Sequence, residues 1–164
     1  MRILGVDPGF AIVGYGVLDY NNFKFARVAS GVITTPPGPL APRLKQIFSE
    51  LCKITATFKP DHVAVEKLFF AKNQKTAIDV AQARGVVMLT AVQSDIPVFE
   101  YTPLQIKQAL VGYGKAGKKQ MIAMVARLLG FCNLKLDDEA DAIAIALCHA
   151  HSFREIDTLG KKLT

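Results

Sequence analysis

The apolar and polar positions of this chain fall into two regimes, strands at first and strand–helix alternation afterwards. Arg2 to Val6 is a short apolar, β-branched run that ends on Asp7-Pro8-Gly9. Ile12 to Leu18 follows, with Gly14 and Gly16 thinning its side chains. Phe23 to Ile33 then begins with strict alternation after an Asn21-Asn22 turn signal. These three segments predict an antiparallel meander. Pro36-Pro37-Gly38-Pro39 breaks the chain, and Leu40 to Phe58 shows helical spacing at Leu44, Ile47, Phe48, Leu51 and Ile54. Pro60-Asp61 resets the pattern before the apolar strand His62 to Val65, which ends on Glu66.

Helical spacing returns from Asn73 to Gln93 through Ile78, Ala81, Val86 and Leu89, with Gly85 at mid-helix. Ile96 to Tyr101 predicts a strand, and Thr102-Pro103 a helix start with Thr as cap and Pro in the first turn. Lys118 to Leu129 predicts a helix stopped by Gly130, and a last helix runs from Asp138 to about Phe153. There is no internal repeat. This order predicts an α/β or mixed α+β sandwich, with helices on both faces of a central sheet. Residues 1–155 are expected to form one domain and 156–164 a basic tail that frays.

Asp7 and Glu66 raise a chemical question. Each ends a short apolar strand, where a buried carboxylate is costly unless something pairs with it. If the two strands are parallel neighbours, their ends lie roughly 4.8 Å apart, at the edge where open α/β sheets bind ligands. Two carboxylates that close repel each other unless a proton or a divalent cation lies between them. A third acidic group, Asp137-Asp138-Glu139-Ala140-Asp141, opens the last helix. Asp138 and Asp141, three apart, project from one face of its first turn. The Ala- and Ile-rich sequence behind them predicts that this helix is buried.

Each acid alone has an ordinary explanation: Asp7 as a turn residue, Glu66 as a strand-end surface charge, Asp137 or Asp138 as a helix cap. As a set, delivered by apolar segments to places that can converge, they fit the coordination of Mg2+ or Mn2+, with no His or Cys at zinc spacing. Pairs of such ions roughly 3.5–4 Å apart are a recurrent apparatus for phosphodiester cleavage.

Composition narrows the partners. The chain has 164 residues and is 51% hydrophobic, which suits a single core and excludes a disordered chain. Lys plus Arg exceed Asp plus Glu by 20 to 14, a net charge of +6 that favours a polyanionic partner. Cys52, Cys132 and Cys148 are far apart and read as reduced core thiols. Neither a signal-peptide pattern nor a span of ~20 apolar residues is present. The expectation is a cytoplasmic protein with no membrane contact.

Asp7 in GVDPG, Glu66 in VAVEKLFFAKN, AQARGV at 81–86, YTPLQIKQALVGYGKAGKKQM at 101–121 and the Asp138-x-x-Asp141-Ala-x-Ala run together resemble the RuvC family of bacterial Holliday-junction resolvases. The likeness runs in order from residue 1 to about residue 150. It implies a ribonuclease H-like α/β fold, with a central mixed five-stranded sheet and helices on both faces. It implies Asp7, Glu66, Asp138 and Asp141 as the catalytic metal-binding acids, with two Mg2+ ions per site and Mn2+ as a substitute. It further implies a homodimer that nicks two opposed strands of a four-way DNA junction, beside a branch-migration helicase complex of the RuvA and RuvB type. Lys107 and Lys118 match positions that contact the DNA backbone, and Phe69 the ring that enters the junction centre. Phe70 doubles that ring, and Asp137 and Glu139 add charge that makes either a candidate to assist at the metal.

Lys72, Lys75 and Arg84 extend the expected phosphate-tracking surface, whereas Lys115 and Lys119 suit a solvated face. His62, His149 and His151 are expected to be structural or at the surface. For the dimer, the helix from Asn73 to Gln93 is the candidate patch, because Val80, Val86, Val87 and Leu89 spread too widely for one buried stripe. Among alternatives, an ATPase lobe of the actin or sugar-kinase type fits less well, since Phe10 follows Gly9 where those phosphate loops place Ser or Thr. A nuclease-fold protein that binds branched nucleic acid without cutting it would be expected to lack at least one acid. A ribonuclease of the same fold shares the chemistry but not the full set of motifs.

Overall fold

The computed structural model describes residues 1–68, 74–130 and 137–160, with side chains described for all of these but 74–76 and 154–160. Strands β1 (Arg2–Asp7), β2 (Ile12–Asn21), β3 (Lys24–Thr34), β4 (His62–Glu66) and β5 (Val98–Tyr101) make one sheet in the order β3-β2-β1-β4-β5. The first three pair antiparallel as the expected meander, and β4 and β5 add on parallel to β1. The sheet is therefore mixed and five-stranded. The hairpin between β2 and β3 turns at Asn22 and Phe23, one residue later than expected, because both adopt left-handed φ values of 47° and 64°.

Helices α1 (Leu40–Phe58) and α2 (Gln74–Gln93) cover one face, and α3 (Pro103–Val111), α4 (Lys118–Leu129) and α5 (Asp137–Gly160) the other. The bounds of α1 follow from its breakers. Pro39 precedes it, and Lys59 ends it in a left-handed conformation with its N–H donating to the Thr55 carbonyl. Strand β5 starts at Val98, not at Ile96. The Ile96 N–H donates back to the Ala91 carbonyl, so Ile96 still belongs to the exit turn of α2. Helix α5 continues past Phe153 to Gly160, reaching into the segment expected as a tail; nothing between Arg154 and Leu159 breaks a helix.

One core lies between the sheet and α1 and α2, around Leu4, Val6, Val17, Ile47, Leu51 and Val87. The other lies beneath α5, around Ile3, Leu18, Ile143, Ile145 and Leu147. Residues 142–150 of α5 are buried all round, which makes this the central helix of its layer. Two glycines set its height above the sheet. A Cβ on Gly14 of β2 would stand 2.0 Å from the Asp138 carbonyl oxygen, and one on Gly5 of β1 2.1 Å from the Ala142 carbonyl oxygen. Any side chain at either place would lift α5, and with it Asp138 and Asp141. Among the described residues no helix is long and apolar enough to cross a membrane.

Candidate active site

The site begins with strand register. Val6 lies opposite Val65 in the parallel pair β1–β4, so Asp7 and Glu66 leave the sheet from neighbouring strand ends. On the other side of β1, Asp7 faces Gly14 of β2, the glycine on which the Asp138 backbone rests. Asp141 follows on the same face of α5. The four predicted acids are thereby gathered around one point.

Their electrostatics record the crowding. Burial, then Glu66, Asp141 and Asp138 in turn, push the Asp7 carboxyl up to about 7, while Lys118 acts in the opposite sense. Glu66 is raised by burial and by Asp141 and relieved by Lys107. Asp141 is raised by burial and relieved chiefly by Lys118. These acids resist ionising together, and that is the state a divalent cation relieves. The donor set is all carboxylate oxygen, hard and negatively charged, which fits Mg2+ or Mn2+. Among the described residues no three of these side chains already form a tight cation cage. Instead Lys118 Nζ lies 3.5 Å from Asp141 Oδ2 and 3.2 Å from Asp137 Oδ2.

The lysines reach the site from α3 and α4. The start of α3 is fixed by a capping box: the Gln105 N–H donates to Thr102 Oγ1, and the Thr102 N–H donates to Gln105 Oε1, with Pro103 in the first turn. Lys107 sits one turn further on. It and Lys118 line an open cleft of about 320 Å3 with Glu66 and Asp141, over a floor that includes Ile106 and Met121. A second cleft, of about 240 Å3, runs on the other side past Asp7, Glu66, Lys67 and Leu68. The two clefts meet at Glu66 and Pro103, with Asp141 lining the first and Asp7 the second.

Several expected residues fall elsewhere. Glu139 is turned away from the acids; its buried carboxylate accepts from Ser30 Oγ at 2.5 Å and from Arg27 Nη1 at 3.3 Å, both on β3. It ties α5 to the sheet. Asp137 remains beside Asp141 through Lys118. Arg84 forms an ion pair with Glu100 of β5. Lys115 and Lys119 are exposed, as expected. Phe69, Phe70 and Lys72 lie outside the described residues, as does the side chain of Lys75.

The histidines make hydrogen bonds within the fold, His151 to the Ala109 carbonyl at 2.9 Å. His149 is fully buried and shares hydrogen bonds with His62 at 2.8 Å and the Tyr101 hydroxyl at 2.7 Å. Burial, and next the His62 charge, hold it down to about 4. Arg43 is a residue that patterning missed. It binds the loop after Asp7 from 33 residues away in sequence, and no periodicity announces such a contact.

A mixed sheet of this order, with an acid pair on a central helix set over two acid-bearing strand ends, places the chain among nucleases of the ribonuclease H-like fold. Residues 3–149 match the family described as crossover junction endodeoxyribonuclease RuvC. A relative of that name from Pelotomaculum thermopropionicum is 52% identical over 155 residues, covering 93% of this chain and 94% of its own. Another, from Finegoldia magna, is 54% identical over 151 residues, covering 91% and 92%. The solved structure of Thermus thermophilus RuvC in complex with Holliday junction substrate superposes with a TM-score of 0.90 at 35% identity, covering 94% of this chain and 96% of that one. The chain belongs to the RuvC family of crossover junction endodeoxyribonucleases, a family that depends on divalent metal.

Proposed function

We propose that this chain resolves four-way DNA junctions in recombination and repair, as a cytoplasmic homodimer working beside a branch-migration helicase complex. Each subunit hydrolyses one phosphodiester in one of two opposed strands and leaves 5′-phosphate and 3′-hydroxyl ends. The observation that carries the reading is the gathering of Asp7, Glu66, Asp138 and Asp141 at two strand ends and one helix start. Membership of the family, and the likeness to a relative solved on a Holliday junction, support the substrate.

Asp7, Glu66, Asp138 and Asp141 would hold two Mg2+ ions, with Mn2+ as a substitute. When bound, such ions supply Lewis acidity and activate water for in-line attack. The chain's own residues bind and orient the strand. Lys107 and Lys118, in the cleft beside Glu66 and Asp141, take the backbone around the scissile phosphate and offset its charge. Phe69 stacks on bases at the junction centre, and Lys72 and Lys75 extend the phosphate track.

The dimer is supported by the outer face of α2. Ile78, Leu89 and Val92 are 63%, 52% and 65% exposed, and Gly85 on the same face meets open space. Val87, by contrast, is 2% exposed and belongs to the core of its own subunit. A two-fold axis through this face presents two sites to two opposed strands. The test of the chemistry is Asp7→Asn, which should bind a four-way junction at least as tightly as the parent and cut nothing in Mg2+. Cutting by the parent in EDTA would overturn the reading.

A further inference from the structure

We propose that Arg43, acting through Thr35, is a positioning residue for Asp7. It fixes the loop by which β1 turns into β2, and so the aim of the first acid of the site. The inference rests on the reading of Asp7 as a metal-holding acid.

The loop from Pro8 to Ala11 has little to hold it from within. Gly9 makes it tight, since a Cβ there would lie 1.9 Å from the Ile12 carbonyl oxygen. Its outer half is held from without. The Phe10 carbonyl accepts two hydrogen bonds, from Thr35 Oγ1 at 2.8 Å and from Arg43 Nη2 at 3.1 Å. Arg43 Nε donates to Thr35 Oγ1 at 3.0 Å, and the Thr35 N–H donates to the Ala11 carbonyl at 2.9 Å. The Arg43 guanidinium also stacks on the Phe10 ring, 3.6 Å from its centroid. These contacts bring α1 and the residue just past β3, neither of which carries a catalytic acid, onto Phe10 and Ala11 of the loop that follows Asp7.

The chemistry of the clamp is particular. The buried Thr35 hydroxyl is satisfied in both senses, accepting from Arg43 and donating to Phe10. Arg43 uses its planar fork and its π-face at once, which an ammonium cannot copy. Arg43 meets the loop at Phe10, three residues past Asp7, so it bears on Asp7 through the backbone. A merely structural staple between α1 and the sheet would need no contact with this loop.

Four quantities separate the possibilities in Arg43→Ala, Arg43→Lys and Thr35→Val: melting temperature in EDTA, Mn2+ affinity by calorimetry, junction affinity with its salt slope in EDTA, and single-turnover cleavage at saturating protein. In both Arg43 variants, cleavage and Mn2+ affinity should fall about tenfold while junction affinity and salt slope stay unchanged. Thr35→Val should follow in the same direction. Lysine should not rescue the loss, and millimolar guanidinium should partly restore Arg43→Ala. In an Asp7→Asn background, Arg43→Lys should cost no further Mn2+ affinity. A lowered melting temperature with unchanged cleavage and Mn2+ affinity would overturn the proposal in favour of a staple. A weaker junction affinity with a smaller salt slope would overturn it in favour of a phosphate contact. If Asp7→Asn alone leaves Mn2+ binding intact, the underlying reading of Asp7 fails instead.

Discussion

Lys118 holds its ammonium 3.5 Å from Asp141 Oδ2, so one of the four acids already has a cation beside it that belongs to the chain itself. If Asp141 holds a metal ion as proposed, the ion and this lysine would compete for the same carboxylate. A DNA phosphate that draws Lys118 away would then free Asp141 for the ion. Lys118→Ala should raise the Mn2+ affinity of the DNA-free protein about two- to fivefold, the scale of an exposed ion pair. Lys119→Ala, with the same change of charge one residue on, is the control and should alter it much less. Isothermal titration of the three proteins decides the matter.

Asp7 ties the site to stability. Its carboxyl titrates near 7 in the metal-free folded protein, against 3.8 for the ordinary group. Between those values the folded state binds more protons than the unfolded one, so stability falls as pH rises through that window. Asp7→Asn removes the penalty. At pH 8 in EDTA the variant should be more stable than the parent by roughly 1–4 kcal/mol, and near pH 4 the two should be alike. Urea unfolding at both pH values measures this, and an equal difference at both would contradict it.

Charged substitutions in α2 should divide by exposure. Leu89→Glu, on the outer face, should give folded monomers that nick one strand and lose paired cutting. Val87→Glu instead places a charge in the core beneath α2 and should unfold the subunit, at a cost of several kcal/mol. Sedimentation and circular dichroism separate the two outcomes.

Glu139→Gln should lower stability by about 1–2 kcal/mol, through loss of a charge-assisted contact to Arg27 and Ser30. Its Mn2+ affinity should match that of the parent. A weakened metal affinity would return Glu139 to the site.

The residues whose placement could be read in advance are those governed by local rules. Breakers at Pro39 and Pro60 delimit α1, the cap at Thr102 starts α3, and apolar runs carry Asp7 and Glu66 to the ends of parallel neighbours. Gly14 and Gly16 showed as thinned positions in a strand; their purpose, to let α5 rest its backbone on the sheet, needed the packed helix. What escaped depends on partners distant in sequence. Arg84 finds Glu100, Glu139 finds Ser30, and Arg43 finds Phe10, none at a helical or strand period. Val87 and Leu89 look alike in a list of apolar residues, and their opposite fates follow from the rotation of α2 against the sheet.

The most direct test of the account is cleavage of a supercoiled plasmid that extrudes a four-way junction, incubated with the protein and Mg2+. Paired incision within one binding event should convert it straight to linear molecules whose ends ligase can seal. No nicked circles should accumulate first, and neither plain duplex nor structured RNA should be cut. Nicked circles as the lasting product, or equal cutting of plain duplex, would contradict the account.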